Sequence, residues 1–171
     1  MTVTITTADN KKFIFTNEIL DEAFNLCKVG KVKYYSYTMI EQTFEYLICK
    51  FLNPNASISS PYYIDRILHK FILETSFYAK LCKIITGNDI IEHSILGSVD
   101  SIVEKYYRRL QFLSLYKHIF DKEYKILKTY QKVNGYEIAE NDKKNMNSLK
   151  DRELKYQDDS FDENVQFGDD C

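Results

Sequence analysis

Apolar and polar positions alternate at the start of the chain: Val3 and Ile5 stand among threonines, Asp9-Asn10 supply turn residues, and Phe13 and Phe15 flank Ile14. A period of two on both sides of a polar turn predicts a β-hairpin over residues 2–16. A lone hairpin is marginal in water, so it needs helices to pack against. From Asn17 the period becomes helical. Ile19, Ala23, Leu26 and Cys27 share a face of a short helix that Asn17 caps and Gly30 ends. A second helix is expected from the capping-box spacing of Thr38 and Glu41, with Ile40, Phe44, Leu47, Ile48 and Phe51 on one face and Pro54 as its limit.

The third helical pattern has the clearest limits. Ser60 sits at a cap position, Pro61 suits the first turn, and Gly87 closes the far end. Ile64, Leu68, Phe71, Thr75, Tyr78, Cys82 and Ile85 step by alternating four and three residues, which predicts one helix with a single buried stripe. A fourth helix starts near Ser98 or Ser101 and carries Ile102, Val103, Tyr106, Leu110, Leu113 and Tyr116 to about Phe120. A fifth is expected in Tyr124–Val133, before Gly135. The fold class is therefore mainly α, a bundle of four to five helices with an N-terminal β-hairpin. It forms one domain over residues 1–135, followed by a disordered tail over 136–171.

Composition agrees with packed helices: of 171 residues 44% are hydrophobic, with 14 Tyr and 11 Phe but only 5 Gly. The net charge of −2 is unevenly spread. Residues 137–171 hold eleven acids and five bases, so the preceding part is +4 and the tail −6. A surplus of four over that length, without a basic run, does not make a nucleic-acid surface. No stretch is long and apolar enough for a membrane helix and no signal peptide is evident, so the chain is expected to be intracellular, in the cytoplasm. Cys27, Cys49, Cys82 and Cys171 lack C-x-x-C spacing and are expected as reduced thiols.

Candidate chemistry centres on the third helix. Asp65 and His69 are four residues apart, hence neighbours on one face, and the carboxylate can fix one imidazole tautomer. That pairing serves a general base, and equally a histidine that only needs a partner. In an unbroken helix Cys82 is about 20 Å from His69, so the two cannot share a metal ion. His93 can approach Cys82 but reaches back to His69 with difficulty, whereas His118 meets His69 if their helices are antiparallel. The metal candidates are thus Asp65, His69 and His118, with His93 as the other imidazole. No phosphate loop, G-x-S-x-G or H-E-x-x-H motif occurs, and no cofactor is expected. Lys105, Arg108 and Arg109 read as a solvated helix face.

The stretch "SPYYIDRILHKFILETSFYAKLCKIITGNDIIEHSILG", followed by "YYRRLQFLSLYKHIFD", resembles the helical domain of glycine-rich-domain-containing proteins over residues 36–125. That domain carries a pattern close to D-x-x-W-H-x-H-I-L-x-T-x-x-Y-x-x-x-C, then G and H. Asp65, His69, Ile72, Leu73, Thr75, Tyr78, Cys82, Gly87 and His93 stand at matching positions, while Leu68 replaces the tryptophan and Phe71 the second histidine. The resemblance implies an all-α domain with no established catalytic activity. "VTITTADNKKFIFTNEILDEAFNL" is similar to the opening of BTB and Skp1-type adaptor domains, which implies a ubiquitin-ligase adaptor.

The expected role is non-enzymatic binding of a protein partner through the helical bundle, with Leu68, Phe71, Thr75, Tyr78 and Cys82 packed inward. Asp65 and His69 then tie down a neighbouring element. The competing role is a metal-dependent protein or enzyme centred on Asp65 and His69.

Overall fold

A computed structural model describes residues 2–28, 36–93 and 102–125. Strands β1 (Thr2–Thr6) and β2 (Lys12–Thr16) pair antiparallel, Ile5 opposite Phe13 and Val3 opposite Phe15. Five helices follow: α1 (Asn17–Lys28), α2 (Tyr37–Leu52), α3 (Tyr62–Leu73), α4 (Thr75–Thr86) and α5 (Ile102–Phe120). The architecture is mainly helical with an N-terminal hairpin, as the periodicity predicts. Tyr124 and Lys125 are not helical; the rest of the expected fifth helix, and the tail 136–171, lie outside the described residues, as do Gly30, Ser98 and Ser101.

Alternation sorts the hairpin into two faces. Ile5, Phe13 and Phe15 are buried while Ile14 is exposed. Asn10 takes a positive φ of 66° in the turn, a conformation its short polar side chain tolerates. The turn is held to α5 by the Ala8 N–H, which donates to the Ile119 carbonyl at 2.7 Å. Phe15 stacks on Phe44 of α2 at 4.6 Å between ring centres, and Phe71 of α3 meets Phe77 of α4 edge-on at 5.0 Å. The hairpin thus forms one wall of the helical core.

Helix starts differ from expectation by a residue or two. Ser36, not Thr38, caps α2, its hydroxyl accepting from the Met39 N–H. Pro61 holds the position before α3 that Ser60 was expected to take, and its carbonyl accepts from the N–H groups of Ile64 and Asp65. Gly87 ends α4 at φ 96°, where an L side chain is strained, and its N–H donates to the Lys83 carbonyl.

The larger correction concerns the segment read as one helix. It breaks at Glu74, whose backbone leaves the helical region at φ −92°, ψ 81°. In an unbroken helix Phe71 and Phe77 are 120° apart around the axis, at 100° per residue. The break turns α4 so that Phe77 and Leu81 join Tyr78, Cys82 and Ile85 in the core, while Thr75 is exposed rather than packed inward. Burying an extra phenylalanine and leucine, roughly 1.5–3 kcal/mol each, outweighs the hydrogen bonds lost at one kink.

On α5 the inward residues are Phe112, Tyr116, Ile119 and Phe120; Leu110 and Leu113 are only half-buried. Arg109 is buried, so that side chain is not part of a solvated cationic face. A polar network fixes the segment after α5 to α2. Tyr116 donates to Glu45 Oε2 at 2.7 Å and Lys122 Nζ to Oε1 at 2.6 Å, while Gln42 accepts from Tyr63 and donates to the Lys125 carbonyl. Tyr63 and Tyr124 share a further hydroxyl contact. Each buried polar group here has a partner, which pins one register of α2 against the segment after α5.

Candidate metal centre

Asp65 is on the first turn of α3 and His69 one turn later, the i, i+4 spacing that makes them neighbours. His69 Nδ1 lies 2.8 Å from the Asp65 carbonyl oxygen and 3.3 Å from Asp65 Oδ2. With the proton on Nδ1, that N–H donates to Asp65 and Nε2 keeps its lone pair. His69 is 56% exposed and Asp65 34%, so the pair faces solvent.

The third member is His93, which reaches the pair from the connector after α4. Gly87 lets the chain reverse. The Thr86 hydroxyl then accepts from the N–H groups of Asn88 and Asp89, shaping the turn. Four residues on, Ile91 is held at both of its backbone groups by α4 side chains. Its N–H donates to Cys82 Sγ at 3.5 Å, and its carbonyl accepts from the Tyr78 hydroxyl at 2.5 Å. Tyr78 and Cys82 are themselves four apart, so they face the connector together. Held there, the connector sets His93 Nε2 3.6 Å from Asp65 Oδ1 and its ring 4.9 Å from that of His69, nearly perpendicular.

One atom from each of Asp65, His69 and His93 lies within 4.8 Å of the other two. Bonds of about 2.0–2.1 Å at tetrahedral angles need ligand atoms about 3.3 Å apart, so a group within 4.8 Å has to draw closer together to hold an ion. The Asp65 carboxylate already turns one oxygen to each imidazole. His93 is mostly buried, and its Nδ1 has no hydrogen-bond partner among the described residues. Burial pushes the His93 pKa below its ordinary value; the Asp65 charge opposes this, while His69 and Lys50 add to it. The ring is therefore neutral at neutral pH, the form that binds metal.

His118 is exposed on α5 and is not a member of this group. The histidine expected to reach back with difficulty is the one that does. Arithmetic on an unbroken helix argues against it: eighteen residues from His69 to Gly87 span about 27 Å, more than the roughly 20 Å of six extended residues, and the break at Glu74 removes that premise. Cys82 is no ligand. Burial raises its thiol pKa, and its sulfur serves Ile91. Cys27 and Cys49 are likewise buried free thiols, burial pushing Cys27 up to about 12.

Asp65, His69 and His93 form the group, Tyr78, Cys82 and Gly87 deliver the third of them, and Thr75 opens α4 after the break. Comparison with protein-family profiles, curated proteins and solved structures finds no match.

Proposed function

We propose that this protein binds a divalent transition-metal ion through Asp65, His69 and His93. The observation that carries this reading is the convergence of two imidazoles and a carboxylate, from α3 and from the returning connector, within 4.8 Å. Imidazole with carboxylate suits zinc, iron, cobalt and nickel, and three protein ligands leave at least one coordination position for water or another ligand. The exposure of His69 gives that position a route to solvent. The ion would also join the connector to α3, adding its binding energy to the fold.

The test is a titration of chelator-stripped full chain with Co²⁺, read in the visible bands and by mass spectrometry. One ion per chain is expected, lost in His93→Ala and in Asp65→Asn. A wild-type chain that holds no stoichiometric Co²⁺ or Zn²⁺ at micromolar concentrations overturns the proposal.

Docking of a protein partner is the second reading. It is favoured by Leu73, 84% exposed at the break one turn beyond His69, and by exposed Ile90 on the connector. Crosslinking that recovers no partner through these side chains counts against it. The adaptor reading is supported by the hairpin and α1 alone, since the described residues contain one two-stranded sheet. No helix among the described residues is long and apolar enough to cross a membrane.

A further inference from the structure

Helix α5 ends on a bend, and the chain then doubles back along it. Asp121 takes a positive φ of 52°, while its N–H still donates to the Lys117 carbonyl as in a helix. An L side chain is strained in that conformation, which a short polar carboxylate only eases. The hairpin enforces the stop. Its Ala8 N–H occupies the Ile119 carbonyl, the acceptor that Glu123 would use in a longer helix. Asp121, Lys122 and Glu123 are exposed, and Tyr124 then turns inward and is buried.

The seat of Tyr124 is assembled from α2, α3 and the middle of α5. Its ring meets Tyr116 at 5.0 Å and Phe112 at 5.3 Å, both edge-on, one and two turns back from the end of α5. Its hydroxyl touches that of Tyr63 and, at 3.4 Å, donates to Gln42 Oε1. Beside it Lys122 Nζ donates to Glu45 Oε1 at 2.6 Å. Gln42 and Glu45 are buried, so emptying the seat takes a donor from each. An occupant must therefore bring an ammonium and a phenol from residues two apart.

Residues 121–125, D-K-E-Y-K, hold no proline, glycine or β-branched side chain, so they suit a helix as well as a bend. Carried on through Asp121, α5 sets Tyr124 about 18 Å along the axis from Phe112, beyond reach of its own seat. Lys117 has a partner in either form: Glu123 across the bend at 2.7 Å, or Asp121 one turn along a straight helix. A short strained hinge beside an arm that fits a defined seat is the condition under which copies exchange arms.

We propose that residues 121–125 exchange between two copies of this chain. Each straightened α5 then seats its Lys122 and Tyr124 against Gln42, Glu45 and Tyr63 of the other copy. The partner is a second copy because it supplies the ammonium and the phenol at the spacing the seat already accepts. Both seats keep their bonds and both hinges lose the positive φ. Against this stand the Ala8 bond in each chain and the cost of bringing two chains together, so concentration sets the balance. The exchange is independent of the metal group.

The experiment follows full-length chain by sedimentation from micromolar to millimolar concentration, with chelator present so that no ion bridges two chains. Reversible conversion of monomer to dimer is expected. Asp121→Gly, which holds the bend without strain, should weaken the dimer about tenfold or more, and Asp121→Ala should strengthen it. Unlabelled and ¹⁵N-labelled chains are then mixed in equal amounts at the concentration of the dimer and coupled with a carbodiimide. Amide links between Lys122 and Glu45 should join unlike isotopes. Three results overturn the proposal: a chain that stays monomeric throughout, a dimer indifferent to Asp121→Gly, or a dimer whose Lys122–Glu45 links all join like isotopes, each seat then being filled by its own chain.

Discussion

Replacing Tyr78 by phenylalanine removes one hydroxyl from a buried side chain and leaves its ring in the core, so its effects isolate the hold on the connector. The hydroxyl donates to the Ile91 carbonyl at 2.5 Å, and both residues are buried. A net hydrogen bond is worth about 0.5–1.5 kcal/mol, and a carbonyl stranded in the core costs about 1–3 kcal/mol. The connector has an escape from the larger penalty. Asn88, Asp89, Ile90 and Glu92 are exposed, so the segment can lift and give the carbonyl to water. Lifting it withdraws His93 from Asp65 and His69. The expected signature is therefore split: the urea midpoint falls by the equivalent of about 1 kcal/mol, while amide exchange over residues 88–93 quickens. Co²⁺ affinity drops by up to about tenfold, because metal must then select the closed fraction. Affinity within twofold of wild type, in a variant destabilised by 1 kcal/mol or more, refutes the link between Tyr78 and the metal group.

Three further outcomes follow from the same coordinates. In metal-free protein, burial holds the His93 pKa below the ordinary histidine value of about 6.5, so its contribution to stability is present above that pH. It is lost as pH falls through the lowered folded value, and chemical denaturation between pH 7.5 and 4.5 should show a slope that His93→Gln reduces; an unchanged slope refutes it. Gly87→Ala meets no atom within 4 Å of the new Cβ, so its cost is the positive φ alone, about 1–2 kcal/mol and several degrees of Tm by calorimetry. Tyr116→Phe removes a buried donor from Glu45 and should cost about 1.5–3 kcal/mol, whereas Lys122→Ala, whose ammonium is half exposed, should cost under about 1 kcal/mol. Urea melts showing the opposite order contradict the assignment of Glu45 as a buried acceptor.

The amino-acid sequence by itself determined what nearest neighbours along the chain can decide. Alternation set the hairpin and which of its residues face inward, the 3.6 period set the helices, glycine set the end of α4, and i, i+4 spacing set Asp65 beside His69. These depend on φ/ψ preference and on side chains one turn apart, which are local quantities. The break at Glu74 was invisible to periodicity because Thr75 continues the stripe well enough on paper. Only the packed core shows that Phe77 and Leu81 gain more by turning inward than the kink costs. The tertiary structure alone decided which imidazole completes the group. His93 is brought to His69 by Tyr78 and Cys82 gripping the two backbone groups of Ile91, and His118 is left on the exposed side of α5. Pairings between residues 24 positions apart follow from where a chain is caught after it turns, and that is settled by the burial and hydrogen bonding of the whole fold rather than by the rotation of any single helix.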